Sequence, residues 1–371
     1  MALIRSVEIR MVDLAPRTRR TDAIQSFVSQ ETPLVTITDA DGAQGTGYCY
    51  TIGTGGAAVI SLLQQVFAPR LIGREAEEIE SIWRDLLFAT HATSVGAITS
   101  LALAAVDIAL WDMRCRRAGL PLWRMAGGAK RSVPVYSTEG GWLHVEPQAL
   151  VDDALAVQEQ GFAGAKVKIG RPHLAEDAAR LGAVRAAVGD AFHLFTDANQ
   201  AFSLSQAMLR ADMLADHAIG WFEEPMPADD IGSHAALARH SRVPVAVGES
   251  LYSLGQFKDY VQQGAASIVQ VDAARIGGIT PWLKVAHLAE AHNIMVCPHF
   301  LMELHVSLIC AVPNSWMLEY IPQLDAITTS RLDLRAGQAH PPDTPGIGID
   351  WDMAAIAAQT VAGSHSQTGK G

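Results

Sequence analysis

Eight short apolar runs alternate with segments of helical periodicity in the last two thirds of this 371-residue chain. The runs are Val133–Ser137, Ala165–Ile169, His193–Asp197, Trp221–Glu224, Val245–Gly248, Ile268–Val271, Met295–Pro298 and Met317–Tyr320. Amphipathic patterns lie between them, for example at Pro147–Glu159, Leu174–Val188 and Ser205–His217. Buried parallel strands covered by helices have this pattern. The chain is therefore predicted to form an α/β fold, a closed (β/α)8 barrel of the TIM type.

The first third has a different pattern and indicates a second, smaller domain. Strand-like segments at Leu3–Val12 and Leu34–Thr38 precede the hairpin signal Asp41-Gly42. Helical periodicity follows at Ala57–Phe67, Ala76–Phe88 and Gly96–Arg117. We expect an α+β capping domain at residues 1–125, the barrel at 126–321, and a segment at 322–371 that packs back on the cap. Its polar tail begins at residue 363, and the end of this tail is expected to be disordered.

Charge and composition exclude several classes of function. The 28 basic and 39 acidic residues give a formal net charge of -11. Nucleic acid is therefore not an expected partner, because its phosphate backbone requires a basic surface. The most apolar stretch, Leu101–Trp111, is too short to cross a bilayer and contains Asp107, so no membrane association is expected.

The cysteines and the N-terminus favour a cytoplasmic protein. The four cysteines are scattered without a Cys-x-x-Cys pair, which is typical of reduced thiols. Charged residues interrupt what would be the apolar core of a signal peptide, namely Arg5, Glu8 and Arg10.

Nearly every predicted barrel strand ends in charged or polar residues, and the C-terminal rim of such a barrel is where catalysis takes place. In chain order these residues are Lys166, Lys168, Asp197, Asn199, Glu223, Glu249, Asp272, His299 and Glu319. The carboxylates Asp197, Glu223 and Glu249 follow one another at intervals of 26 residues, since 223−197 and 249−223 are both 26. This interval is one β/α unit.

The three carboxylates are predicted to be ligands of a metal ion. On adjacent strands they would meet at one point, where their repulsion requires a cation. Oxygen ligands favour Mg²⁺, with Mn²⁺ possible. The alternative is a set of structural ion pairs, although the apolar run around Glu223 offers few cationic partners. Glu224 is expected to face away from the barrel interior.

Five further residues are candidates for proton transfer and for stabilising charge. Lys168 is the predicted base, because a second lysine and a divalent cation nearby disfavour its ammonium form. His299 is predicted to form a dyad with Asp272, whose carboxylate would accept the Nδ1 proton. Glu319, if kept protonated, could donate a hydrogen bond to an enediolate oxygen. Lys166 would be held against the substrate carboxylate.

Together these residues resemble the enolase superfamily and, within it, the mandelate racemase subgroup, over essentially the whole chain. The family's Lys-x-Lys motif is similar to Lys166-Val167-Lys168, and its Asp-x-Asn motif is similar to Asp197-Ala198-Asn199. The other metal ligands, the Asp/His dyad and the electrophilic glutamate are matched by Glu223, Glu249, Asp272, His299 and Glu319. The resemblance implies a lysine or histidine base and an enediolate that Mg²⁺ stabilises.

Within the subgroup, several segments resemble acid-sugar dehydratases, such as those that act on galactarate or talarate. These segments are Gly140-Gly141-Trp142, Asp197-Ala198-Asn199-Gln200 and the run from Pro298 to His305. The resemblance implies that cap loops near Arg17–Arg20 and Tyr48–Gly56 close the site. Predicted substrate contacts are accordingly Asn199, Arg19, Tyr48 and Trp142, and the arginines of the first loop could meet a distal carboxylate.

The leading functional prediction is Mg²⁺-dependent dehydration of an aldonate or aldarate to a 2-keto-3-deoxy acid. Racemisation, epimerisation or cycloisomerisation is the second, because each uses the same enediolate. A metal-binding or sugar-acid-binding barrel without catalysis is the third, although binding alone needs no base. The expected partner is a small carboxylate, and the resemblance implies a homo-oligomer, commonly an octamer.

Overall fold

The computed structural model describes residues 2–369 and contains eight parallel strands that close into a barrel. The first seven strands pair in sequence order, and the eighth pairs with the first. A single bridge between Val296 and Ser315 links the seventh strand to the chain just before the eighth. Predicted and observed strands coincide closely, although most observed strands are shorter by one or two residues at their ends.

The barrel strands are β6 (Val133–Ser137), β7 (Gly164–Lys168), β8 (His193–Asp197), β9 (Phe222–Glu223), β10 (Val245–Val247), β11 (Ile268–Val269), β12 (Met295–Val296) and β13 (Leu318–Tyr320). The helices between them are α6 (Pro147–Glu159), α7 (Leu174–Val188), α8 (Leu204–Asp216), α9 (Ile231–His240), α10 (Leu254–Gln262), α11 (Ala273–Ile276), α12 (Ile279–Ala291) and α13 (Met302–Ala311).

Aromatic side chains fill the barrel interior below its C-terminal rim. Phe195 stacks on Trp221 with ring centroids 3.5 Å apart, and Tyr136 and Trp316 pack edge-on against this pair. Because these rings fill the interior, the barrel is a packed core, and polar chemistry is confined to the rim.

The cap consists of an antiparallel sheet with helices on one face. The sheet contains β1 (Ile4–Leu14), β4 (Gln30–Asp39) and β5 (Gln44–Tyr48), and a separate hairpin is formed by β2 (Arg20–Thr21) and β3 (Ser26–Phe27). The helices are α1 (Gly56–Leu62), continued by a π-helical turn (Leu63–Phe67), α2 (Ala68–Leu71), α3 (Ile79–Ala89), α4 (Ala97–Ala118) and α5 (Leu122–Met125).

Two glycines explain how closely helix α4 approaches the cap sheet. A Cβ at Gly45 would lie 2.1 Å from the carbonyl oxygen of Ala109, and a Cβ at Gly47 would lie 2.2 Å from that of Ala105. Any side chain at these positions would therefore push the helix away from strand β5.

After the eighth barrel strand the chain returns to the cap. It forms a hairpin of β14 (Asp333–Arg335) and β15 (Gln338–His340), then α14 (Met353–Gln359) and β16 (Ser366–Gly369). The expected disorder of the tail is wrong up to residue 369, because β16 pairs with β1 and extends the cap sheet. As an edge strand it is held by backbone hydrogen bonds to β1, which a polar composition does not reveal. Lys370 and Gly371 lie outside the described residues.

Between residues 2 and 369, the structure contains no helix that is both long and apolar enough to cross a membrane.

Candidate active site

A cavity of about 190 Å³ lies between the C-terminal rim of the barrel and the cap. The barrel supplies its floor, and the cap hairpin β2–β3 and the loop after β5 supply the opposite wall. Of the residues predicted to form the site, the structure brings to this cavity Trp142, Lys168, Asn199, Glu249, His299 and Glu319. Asp197, Glu223, Lys166 and Asp272 are fully buried directly beneath or beside them.

The three predicted metal ligands converge at the floor. One carboxylate oxygen from each of Asp197, Glu223 and Glu249 lies within 4.8 Å of the others. Strand register produces this arrangement, because Asp197 pairs with Glu223 on the next strand, and Glu223 pairs with Ala246, three residues before Glu249. The triad is therefore able to hold a metal ion.

The two lysines of β7 form ion pairs with this triad. Lys166 Nζ lies 2.8 Å from Glu223 Oε1 and 2.8 Å from Glu319 Oε1, and Lys168 Nζ donates to Asp197 Oδ2. The sequence suggested few cationic partners for Glu223, but Lys166 is one. Strand alternation places both lysine side chains on the inner face of β7.

The Lys168 pKa was predicted to fall beside a second lysine and a divalent cation, but the ion pairs of the structure act in the opposite direction. Burial lowers the Lys168 pKa, but the Asp197 carboxylate outweighs burial and raises it above its usual value. Burial likewise lowers the pKa of Lys166, and Glu223 and Glu319 raise it well above the usual range. The sequence argument counted the two lysines and the metal but not the ion pairs with carboxylates.

The pKa values of Asp197 and Glu223 shift in opposite directions. Burial raises the pKa of Asp197, but Lys168 and Lys166 reverse the shift and lower it overall. Burial and the neighbouring Asp197 charge raise the Glu223 pKa to about 8, despite Lys166. The lysines thus offset part of the repulsion, and the remainder favours binding of a cation.

Glu249 supplies the clearest sign that the donor set fits a cation. Its Oε2 is buried and makes no hydrogen bond within the described residues, although it lies 3.1 Å from His299 Nε2. A buried carboxylate oxygen without a hydrogen bond is costly. Three converging carboxylates and one such oxygen suit a hard divalent cation such as Mg²⁺.

His299 and Asp272 form the predicted dyad. His299 Nδ1 lies 2.9 Å from Asp272 Oδ2, which also accepts a hydrogen bond of 2.7 Å from Tyr50 Oη. Burial lowers the His299 pKa, but Glu249 and Asp272 raise it overall. Arg275 donates through Nε to Tyr50 Oη at 3.1 Å, so a cap residue and a barrel residue together fix the dyad.

Glu319 lies at the predicted place, but its surroundings do not favour the protonated form on which hydrogen-bond donation depends. It accepts hydrogen bonds from Thr138 Oγ1 at 2.6 Å and from the Phe300 backbone N–H at 2.8 Å, in addition to the ion pair with Lys166. Burial raises the Glu319 pKa, but Lys166, His299 and the Thr138 hydroxyl lower it far below its usual value. The carboxylate is thus held ionised, and donation of a proton from it is not the arrangement seen here.

Glu224 lines the cavity, contrary to the expectation that it faces away from the barrel interior. Strand β9 ends at Glu223, and Glu224 has a φ of 39°, so simple strand alternation no longer applies. Asn199 and Gln200 also have positive φ and line the cavity. Asn199 Oδ1 is buried without a hydrogen bond among the described residues, which leaves it available to a ligand.

Two glycines allow Trp142 to reach the cavity. A Cβ at Gly141 would lie 1.8 Å from the carbonyl oxygen of Lys166, and one at Gly140 would collide with Asp153. The Gly141 carbonyl instead accepts a hydrogen bond from the Lys168 backbone N–H at 2.7 Å. The Trp142 ring then lies 5.4 Å from Lys168 Nζ.

Two predicted substrate contacts, Arg19 and Tyr48, do not line the cavity. Arg19 is exposed, and its Nε donates to Ser26 Oγ across the β2–β3 hairpin. Tyr48 is fully buried at the end of β5, where it packs edge-on against Trp351. Of the two predicted loop regions, Tyr48–Gly56 contributes Ile52 and Thr54 to the cavity, whereas Arg17–Arg20 contributes no lining residue. Side-chain direction in a loop does not follow a sequence period.

Sequence reasoning missed most of the cap wall and several floor residues. The wall residues are Asp22, Ile24, Gln25, Phe27, Ile52 and Thr54, and the floor residues are Gln200, Glu224, Ser250 and Arg275. The four floor residues follow predicted site residues by one to three positions in the sequence. Their closeness to the strand ends could therefore have indicated them. No comparable signal marks the wall.

Comparison with protein families matches two models to this chain. The model for the mandelate racemase/muconate lactonizing enzyme N-terminal domain matches residues 6–127. The model described as enolase C-terminal domain-like matches residues 149–355.

Individual proteins are similar over most of their length. L-talarate/galactarate dehydratase from Salmonella typhimurium is 37% identical over 84% of this chain and 78% of that protein. 3,6-Anhydro-alpha-L-galactonate cycloisomerase from Streptomyces coelicolor is 37% identical over 91% of this chain and 93% of that protein. The crystal structure of the Salmonella dehydratase with Mg and L-lyxarohydroxamate matches with a TM-score of 0.94 and 33% identity. The match covers 99% of this chain and 95% of that chain.

Proposed function

Because the chain belongs to the mandelate racemase/muconate lactonizing enzyme family of the enolase superfamily, we propose that it is a Mg²⁺-dependent acid-sugar dehydratase. The product would be a 2-keto-3-deoxy acid. Dehydratases and cycloisomerases of acid sugars are both among its relatives.

One geometric observation carries the proposal. Lys168 bonds to Asp197 at one end of the carboxylate triad, and His299 lies 3.1 Å from Glu249 at the other end. Both groups line the same small cavity. A substrate seated above the triad would thus have one proton-transfer group on each side, which α-proton removal and departure of a β-hydroxyl both need.

Asp197, Glu223 and Glu249 would hold the cation. Mg²⁺ bound there supplies positive charge that offsets the negative charge developing on the substrate carboxylate as the α-proton leaves.

The remaining steps belong to side chains of this protein. Lys168 takes the proton from C2 as the free amine, a form that a cation held by Asp197 would favour, and the electron pair of that C–H bond moves onto the substrate carboxylate to give an enediolate. The same pair then forms the C2–C3 double bond. His299, held by Asp272 through Nδ1, gives a proton from Nε2 to the C3 hydroxyl as its C–O bond breaks. Water leaves, and the enol at C2 becomes the 2-keto group after C3 gains a proton. The two groups exchange these roles for a substrate of opposite configuration at C2.

Cycloisomerisation is the second candidate, and the similarity to the Streptomyces cycloisomerase favours it. It begins with the same proton removal but expels an oxygen within a ring, so no water is lost. Racemisation or epimerisation would return the proton to C2 from the other side. A barrel that only binds sugar acids would have no use for Lys168 and His299 flanking the triad.

The test is a screen of purified protein with Mg²⁺ against a full library of acid sugars, with keto acid detected as its semicarbazone. Formation of keto acid with loss of one water from at least one acid supports dehydration. An isomer formed at unchanged mass identifies cycloisomerisation or epimerisation instead. The absence of both across the library contradicts the proposal.

A homo-oligomeric state, a cytoplasmic location and the domain boundaries at residues 125 and 321 stay predictions.

A further inference from the structure

The two sides of the cavity differ in charge. The cationic side chains that line it, Lys168, Arg275 and His299, are all on the barrel floor, and each contacts a floor carboxylate or the dyad. Within residues 2–369, the cap contributes no lysine, arginine or histidine to the cavity wall. The charged side chain that it does contribute is Asp22.

Asp22 is held in a fixed orientation by the β2–β3 hairpin. Its Oδ1 accepts hydrogen bonds of 2.8 Å from the backbone N–H groups of Ile24 and Gln25. Its Oδ2 makes no hydrogen bond to any residue that the structure describes, while the side chain is only 7% exposed and lines the cavity. One oxygen is thus available to a ligand.

The arginines of the same segment cannot neutralise a second anion in the cavity. Arg17 pairs with Asp325, and Arg19 is exposed. Arg20 is 1% exposed, and its guanidinium pairs with Glu139 at 2.6 Å beneath the aromatic residues of the wall. The expectation that these arginines meet a distal carboxylate is therefore not supported by their positions.

From this asymmetry we propose that the enzyme acts on monocarboxylic sugar acids, aldonates or their anhydro forms, and discriminates against dicarboxylic aldarates. The proposal rests on the function proposed above. The substrate carboxylate would lie at the cationic floor, and the free oxygen of Asp22 would accept a hydrogen bond from a substrate hydroxyl on the cap side of the cavity. A second carboxylate there would face an anion across a wall that lacks a cation, which disfavours it.

The test uses pairs of acids with the same configuration that differ only at the terminal carbon, such as galactonate and galactarate. Mg²⁺-dependent binding is measured by calorimetry and kcat/KM by keto-acid formation. Binding and kcat/KM should favour the monocarboxylate by roughly tenfold or more in any pair that reacts. Equal or better use of the dicarboxylate overturns this proposal but leaves the dehydratase proposal intact. If no pair binds or reacts, both fail.

The Asp22→Asn substitution removes the negative charge of the side chain but keeps its hydrogen bonds in the hairpin. Asparagine keeps the Oδ1 acceptor for Ile24 and Gln25, so the hairpin turn should persist. The ratio of kcat/KM values should move toward the dicarboxylate by about tenfold, because the like-charge repulsion is removed. An unchanged ratio contradicts the role of Asp22.

Arg19→Ala is the matched control from the same hairpin. Because Arg19 lies outside the cavity, the substitution should leave the ratio unchanged. A selective loss of activity toward the dicarboxylate would show that Arg19 reaches the substrate, and it would overturn the proposal.

Discussion

The floor and the wall of this cavity are built by different means. On the floor, each charged group is fixed by strand register and by a partner on the same or a neighbouring strand, as Lys168 and Asp197 are. On the wall, a short hairpin presents apolar side chains and one carboxylate, Asp22, whose second oxygen has no partner among the described residues. The difference suggests that the reaction depends on rigid strands, whereas substrate choice depends on loops.

The largest effect is expected from removing a metal ligand on the floor. Glu223→Gln keeps the shape of the side chain but removes one negative charge from the triad. We expect a fall in kcat of roughly a thousandfold or more, since the charge offset at the substrate carboxylate is lost. Calorimetry should show weakened Mg²⁺ binding. The exposed Glu290→Gln serves as control, and retained Mg²⁺ affinity in Glu223→Gln would contradict the assigned role.

Removing either proton-transfer group should have a slightly smaller effect. Lys168→Ala and His299→Asn should each lower kcat by about a hundredfold to ten-thousandfold, because general acid or base catalysis contributes that much. Steady-state kinetics with the best acid of the library measures this. Full turnover by both variants would mean that the chemistry lies elsewhere.

A buried carboxylate outside the cavity, that of Asp107, should affect the stability of the folded protein. Asp107 on cap helix α4 is 1% exposed; its Oδ2 accepts a hydrogen bond of 2.9 Å from the Thr280 backbone N–H, and its Oδ1 lacks a partner in the described structure. Burial raises its pKa from 3.8 to about 7. The folded state thus holds a proton between about pH 4 and pH 7 that the unfolded state releases.

Stability should therefore fall as pH rises through this range, by about 4 kcal/mol at most. Asp107→Asn keeps the acceptor for Thr280 but cannot ionise. Urea denaturation of both proteins at pH 5 and pH 8 should show a larger loss of stability with pH in the natural protein. Parallel pH dependence of the two proteins would contradict the shifted pKa.

The smallest effect is expected where the cap contacts the dyad. Tyr50→Phe removes the hydrogen bond to Asp272 but keeps the ring contact with Phe300. We expect kcat to fall about tenfold with little change in KM, as for other partners that orient a catalytic group.

Tyr260→Phe is the matched control for that substitution. Its hydroxyl donates to the Ala228 carbonyl at 2.8 Å, away from the dyad. It should lower stability by about 1 kcal/mol without lowering kcat. An equal loss of kcat in both variants would indicate a general structural effect rather than positioning of the dyad.

The difference between the floor and the wall also determines how much of the site could be predicted from the sequence. The floor was predictable because a strand has a period of two and a β/α unit has a regular length, so Lys166, Asp197 and Glu249 could be assigned to one rim. The protonation states of the floor residues could not be predicted from strand period and spacing. The shifts at Lys168 and Glu319 depend on ion pairs across strands, which spacing alone does not give.

Loop residues escaped prediction for a geometric reason. Glu224 leaves its strand with a positive φ, so its side chain no longer follows the strand period. In the cap, Arg19 and Asp22 lie three residues apart, yet one is exposed and the other lines the cavity. Hydrogen bonds within the hairpin decide which side chain faces inward.

The most direct test of the central claim is exchange of the substrate α-proton with solvent. In D₂O with Mg²⁺, NMR should detect deuterium at C2 of recovered acid sugar or at C3 of the keto acid. Removal of Mg²⁺ with EDTA, or the Glu223→Gln substitution, should abolish the exchange. Exchange that persists without a divalent cation, or no exchange with any acid of the library, would contradict metal-dependent proton removal at this site.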